Sequence, residues 1–208
     1  MTIESGGRRT LTTYAPPLVS WESFLAWREG AVQAEWVDGE IIYMSPQSDR
    51  HYLISGFLYR VLHGFVLRNG IGGFVGQAGF QVRLGRSGRE PDVVYLTPEH
   101  RHRFKKTWIE EAVDLAVEII SPDSRLRDRH DKFREYAQAG VAEYWIIDPV
   151  AETVEVYRLG GSGAYEPRPL GDPPRIQSEV IPGLWIDPAW LWADEPDDRT
   201  AYKAWGLV

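Results

Sequence analysis

Residues 115–149 read LAVEIISPDSRLRDRHDKFREYAQAGVAEYWIIDP, and this stretch decides the fold. Leu115–Ile120 is a near-continuous apolar run interrupted by one acid, Glu118, which reads as a strand. Pro122 ends it. Ser124–Ala139 is spaced as a helix, and Gly140 supplies the stop. Glu143–Ile147 and Thr153–Leu159 are two further strands, joined by a turn at Asp148-Pro149.

Working outward, Asp49–Asn69 is the clearest helix. Leu53, Ile54, Phe57, Leu58, Val61, Leu62, Phe65 and Val66 recur at three- and four-residue steps, and Gly70 follows. Ala34–Met44 carries Asp38-Gly39 between apolar runs, a hairpin signal. Ser20 caps a short helix that ends near Gly30. Gly72–Leu84 reads as one glycine-rich strand, Gly85–Glu90 as a turn, and Pro91–Leu96 as a short strand. Residues 97–113 read as a charged connection with one helical turn near Trp108. Gly and Pro mark 160–174 as a long loop, and Val180–Trp192 reads as a final strand. The expected architecture is α/β: a single domain over 16–208 with a mixed central sheet flanked by helices. Its core spans about 34–160, with an N-terminal helix and hairpin and a C-terminal strand extension over 161–208. Residues 1–15 are expected to form a flexible arm.

The 208 residues contain no cysteine, which excludes a disulfide scaffold, a zinc ribbon and a cysteine nucleophile. That suits a cytoplasmic protein. The start has no apolar stretch of the signal-peptide kind, and no run approaches the roughly 18 apolar residues of a membrane span. The net charge of −7 argues against coating nucleic acid by bulk charge. Within that total, residues 83–134 hold 12 Lys/Arg against 10 Asp/Glu, whereas 141–208 hold 5 against 12. A locally basic surface on an acidic chain suits an anionic substrate met at one site. There is no phosphate-binding P-loop and no His-Glu-x-x-His zinc motif, and the five histidines lack paired spacing.

Two acids are out of character with their strands. Asp92 follows Pro91 at the start of an apolar strand, and Glu118 sits inside another. An ionised carboxylate in such surroundings costs several kcal/mol unless it is paired or binds a metal. Two of them on neighbouring strands would converge as oxygen ligands for Mg²⁺ or Mn²⁺. On the following helix Arg125, Asp128, Lys132 and Tyr136 share one face. A lysine there could act on an attacking water or a scissile phosphate. Asp128 and Lys132 also read as a surface ion pair four residues apart, and Glu118 as half of a buried salt bridge.

Pro91-Asp92 followed by Glu118 looks like the PD-(D/E)XK nuclease signature. The opening stretch resembles the Uma-two family of restriction-endonuclease-like proteins, as do AEWVDGEIIYMSP (34–46), the His51 helix, GQAGFQVRL (76–84) and GREPDVVYL (88–96). The resemblance implies a Mg²⁺-dependent phosphodiesterase site acting on DNA, with Asp92 and Glu118 as metal ligands. Two residues after Glu118 stands Ile120 and not lysine, so the resemblance implies that the lysine has moved to the helix as Lys132. Supporting roles fall to Glu35 as an outer or extra ligand, and to His51 at a phosphate or in proton transfer. Gln77 stands where relatives often carry an acid. Tyr136 is placed to orient Lys132, and Arg125, Arg127 and Arg129 to meet phosphates. Cutting both strands calls for two sites, so a homodimer is expected, with Trp185, Trp190, Trp192 and Trp205 either in the core or at its interface. Ile120 and Gln77 also keep open a nuclease-like domain that binds nucleic acid or protein without cutting. A hydrolase of another phosphoester is the third reading.

Overall fold

The structure, a computed structural model, describes residues 17–28, 33–121 and 124–208. The expected arm over 1–15 and the expected end of the first helix at Gly30 lie outside them. In chain order the elements are α1 (Trp21–Arg28), β1 (Ala34–Val37), β2 (Glu40–Tyr43), α2 (Asp49–Arg68), β3 (Phe74–Gln77), β4 (Gln81–Leu84), β5 (Ser87–Arg89), β6 (Val93–Leu96), β7 (Trp108–Glu110), β8 (Leu115–Ile119), α3 (Phe133–Ala139), β9 (Glu143–Asp148), β10 (Thr153–Leu159), β11 (Tyr165–Pro167), β12 (Ile176–Gln177), β13 (Trp185–Ile186) and α4 (Asp198–Ala204).

Two mixed sheets organise them. The larger has the order β11-β10-β9-β8-β6-β3, and the smaller β2-β1-β5-β4-β7. The β8–β9 pair is parallel, with Glu118 opposite Ile146, because the helical segment between them carries the chain back across the sheet. The β4–β7 pair is parallel too and most other neighbours run antiparallel, so the strands have the expected mixed character, divided between two sheets where one central sheet was expected.

Strand alternation sends side chains of the large sheet to two cores. Val93, Tyr95, Leu115, Val117 and Ile119 face α2, together with Ile54, Phe57, Leu58 and Leu62. Val94, Leu96, Ala116 and Ile120 face α3, where they meet Tyr136, Ala137 and Tyr144. Glu118 has the parity of Ala116 and Ile120, so it projects toward α3. The C-terminal segment covers α2: Ile176, Ile181, Leu184, Ile186, Leu191 and Ala201 complete the first core. Trp205 packs edge-on against Phe65, and Trp185 and Trp190 pack with it, so these tryptophans serve the interior packing.

The hairpin turns at Asp38 and Gly39, both at positive φ, as the Asp-Gly signal requires. Ser48 caps α2 by accepting from the His51 amide.

Several expectations need correction. Residues 72–84 are not one strand. Residues 78–80 interrupt the run, Gly79 at φ 118°, and the chain passes from β3 in the large sheet to β4 in the small one. The stretch 85–90 is more than a turn, because β5 pairs with both β1 and β4. Trp108 opens β7, and the short helical turn lies earlier, at Arg101–Arg103. The 160–174 loop contains β11, and 180–192 contains only the two-residue β13 before a 3-10 turn over Pro188–Trp192. The 124–139 helix is not α-helical throughout: it opens as α-helix at Arg125 and Leu126. Arg127–Lys132 winds as a π-helix and only then passes into α3.

Candidate active site

The carboxylates come from strand ends and the ammonium from the π turn. Asp92 immediately precedes β6. Its Oδ2 accepts from the Ile119 backbone N–H at 2.7 Å, which ties it to β8. Its Oδ1 lies 2.7 Å from His51 Nε2 and accepts from Gln47 Nε2 at 3.3 Å. His51 reaches it because it sits in the first turn of α2, pointing inward. Glu118 Oε1 accepts from the Tyr136 hydroxyl at 2.6 Å and lies 2.9 Å from Lys132 Nζ. Lys132 Nζ also lies 2.9 Å from Glu35 Oε1 and 3.2 Å from Asp128 Oδ1.

Apart from the half-buried Gln47, all of these groups are interior. Lys132 and Glu35 are 0% exposed and Asp128 1%. The surface pair expected of Asp128 and Lys132 is therefore a buried one. The π winding, rare and common at functional sites, turns Asp128, Lys132 and then Tyr136 toward the sheet.

The charge states follow from burial set against neighbours. Burial works to discharge the Lys132 ammonium, but Glu118, Glu35 and Asp128 outweigh it and raise its pKa above the ordinary lysine value. Burial raises Glu35, yet the cations Lys132 and Arg89 overcome it and hold the carboxyl at about 2. Glu118 is pushed well above the ordinary carboxylate range, first by burial and then by the like charges of Asp128, Asp92 and Glu35, with Lys132 opposing. Burial, then the nearby Glu118, raises the Tyr136 hydroxyl well above its usual value, so it stays protonated and donates.

Asp92, Glu118, Asp128 and Lys132 line one cavity with His51, Gln47, Arg127 and Glu90. Its free space is about 40 Å³, room for a few waters. Among the described residues no three His, Cys, Asp or Glu side chains converge as a ready metal cage. The donor chemistry nevertheless fits a hard cation. Mg²⁺ commonly binds through one or two carboxylates and keeps water or substrate phosphate in the rest of its shell. Asp92 and Glu118 offer that pair.

The remaining expected residues divide. His51 and Tyr136 touch the two acids directly. Arg127 lines the cavity, with Nε 3.9 Å from Glu35. Gln77 donates to Ser55 on α2 and is not a lining residue. Arg125 and Arg129 both reach Asp148 at the end of β9, at 3.1 and 3.7 Å, and are also outside the lining. Sequence reasoning missed Arg89, Glu90 and Glu135. Arg89 is 2% exposed and bonds both Glu35 and Glu135. Glu90 pairs with Arg28 at 2.6 Å. The available signal was two consecutive charges leading directly into Pro91-Asp92 and a buried strand.

Among solved structures, the chain is similar to one titled "a putative nuclease belonging to DUF820" from Anabaena variabilis. The two are 21% identical with a TM-score of 0.68, over 82% of this chain and 96% of that one, and share the fold. Among curated proteins, it is 27% identical over 151 residues to the uncharacterized protein slr1290 of Synechocystis sp., covering 71% of this chain and 77% of that protein. A family model described as "Putative restriction endonuclease" matches residues 21–189, and the chain thus belongs to the Uma2 family.

Proposed function

We propose that this nuclease-family chain is a DNA endonuclease that hydrolyses phosphodiester bonds with Mg²⁺ or Mn²⁺. The observation that carries the proposal is the meeting of Asp92, Glu118 and Lys132, from three separate elements, at one cavity. In this reading Asp92 and Glu118 hold the cation. When bound, it supplies Lewis acidity and lowers the pKa of a water for attack at phosphorus. The protein's own groups do the rest. The Ile119 amide and the His51 ring fix the two Asp92 oxygens, and the Tyr136 hydroxyl fixes Glu118. Lys132, kept charged by its acidic neighbours, stabilises the negative charge that develops on the scissile phosphate. Arg127 at the cavity lining meets a flanking phosphate. A twofold dimer acting in the cytoplasm belongs to the same proposal, and a solution mass of two 23.7 kDa chains tests the dimer.

Purified protein is expected to nick or linearise plasmid DNA when Mg²⁺ or Mn²⁺ is added and to leave it intact in chelator. A panel of nucleotides, single strands and duplexes separates DNA cleavage from hydrolysis of another phosphoester. A second reading, a nuclease-like domain that binds without cutting, is favoured by the close packing of three carboxylates around Lys132. Titration calorimetry distinguishes it: absence of Mg²⁺ and Mn²⁺ binding at millimolar concentration supports the non-cutting domain.

A further inference from the structure

A closed ring of charges leaves the candidate site through Glu35. Lys132 Nζ meets Glu35 Oε1 at 2.9 Å, and Glu35 Oε2 meets Arg89 Nη1 at 2.8 Å. Arg89 then returns to the helix that carries Lys132. Its Nη2 and Nε lie 2.6 and 2.7 Å from the two oxygens of Glu135, a bidentate fork. Glu135 stands three residues after Lys132, and the Ser87 hydroxyl donates to it at 2.9 Å. The ring therefore spans β1, β5 and the helix, and it fastens the small sheet to the π turn.

Stability alone does not call for charges here, although breaking the ring is costly. Buried ion pairs are often matched or bettered by apolar residues of equal volume, and the Arg89 side chain is only 2% exposed. The ring has a geometric effect. The Arg89–Glu135 fork fixes the rotation of the helix against β5. Glu35 fixes the ammonium itself, which would otherwise rest on Glu118 and Asp128 alone.

We infer that Glu35 and Arg89 are positioning residues for Lys132, holding its ammonium at a set place between the small sheet and Glu118. The inference rests on the reading of Lys132 as the cation of a nuclease site. It adds that the small sheet, which supplies neither Asp92 nor Glu118, places that cation through Glu35 and Arg89.

The test uses the full chain and two readouts. The first is plasmid cleavage with Mn²⁺, resolved into kcat and KM. Glu35→Gln is expected to lower kcat by about a hundredfold, the cost of misplacing a reacting group by an ångström, with KM and Mn²⁺ affinity near those of the parent. Glu35→Asp, which keeps the charge, should recover part of the loss. The second readout is the ¹H–¹⁵N signal of the Lys132 ammonium, assigned by its loss in Lys132→Met. The ring predicts a slowly exchanging ammonium in the parent, and broadening or shift of that signal in Glu35→Gln. Glu35 and Arg89 are wholly interior, so Glu135→Ala, on a partly exposed side chain, opens the ring where folding is safest. It should show a smaller kcat loss and the same spectral change. Folded Glu35→Gln or Glu135→Ala with unchanged kcat and an unchanged ammonium signal overturns the inference. If the parent cleaves nothing and binds no Mn²⁺, the nuclease reading fails, and the ammonium spectrum still decides whether the ring holds Lys132.

Discussion

Lys132 Nζ lies 2.9 Å from Glu118 Oε1, although one rides a π-helical turn and the other a strand in the middle of the large sheet. The contact joins an ammonium to an acid that burial and three like charges push toward its neutral form. Removing the cation should therefore be felt in folding before chemistry is considered. Lys132→Met leaves Glu35, Glu118 and Asp128 without their shared partner. It is expected to cost about 3–5 kcal/mol, the usual loss when one member of a buried charge cluster is removed. Thermal or urea unfolding measures this, and cleavage should be absent even at temperatures where the variant stays folded.

Asp92 and Glu118 make a separable prediction. A cation held by the folded chain and not by the unfolded one raises stability by about 2.7 kcal/mol at a hundred times its dissociation constant. Mn²⁺ should accordingly raise the melting temperature of the parent. Asp92→Asn and Glu118→Gln should each abolish both that rise and DNA cleavage. A full rise in either variant removes that residue from the metal site.

Glu35 sets an acid limit. Its folded pKa of about 2 lies below the ordinary 4.5, so the unfolded chain binds the proton more readily. The resulting stability is complete above pH 4.5 and is lost as pH falls through about 2. Its size is about 3 kcal/mol, from 1.36 kcal/mol per pKa unit. Glu118 acts in the opposite sense, since a raised carboxyl pKa favours the folded state as pH falls toward it. Subtracting the pH–stability profile of Glu35→Gln from that of the parent isolates the Glu35 contribution. A flat difference between pH 4.5 and 2 refutes it.

Gly64 on α2 faces Tyr202 of α4 so closely that a Cβ built on it would overlap the tyrosine hydroxyl. That hydroxyl donates to the Arg60 carbonyl at 2.9 Å. Gly64→Ala should displace Tyr202 and cost about 1–3 kcal/mol, as overpacking does. Because α4 lies away from the cavity, cleavage by the folded fraction should be unchanged.

The parts of the fold that could be read in advance were those with a strong local pattern. The α2 stripe, the Asp38-Gly39 hairpin and the β8–helix–β9 unit each declare themselves within a few residues. The small sheet did not. Ser87–Arg89 has no strand-forming residue, and its pairing with β1 is set by partners about 50 positions away. Likewise Trp108–Glu110 is a strand only because β4 lies beside it. The same divide runs through the site. Asp92 and Glu118 stood out as acids in apolar strands, and a face shared by Asp128, Lys132 and Tyr136 was visible from their spacing. Arg89 and Glu135 acquire meaning only once the two sheets are folded together, and nothing local separates them from solvated charges.

Carrying the ammonium on the helix also frees a strand position. Ile120, where the superfamily pattern has its lysine, is 2% exposed and packs in the core with Tyr136, Val141 and Tyr144. An Ile120→Lys change would bury a second cation in an apolar layer with no carboxylate assigned to it. If Lys132 is the lysine of the proposed site, packing holds it to the helix: a return to position 120 passes through a chain with a damaged core.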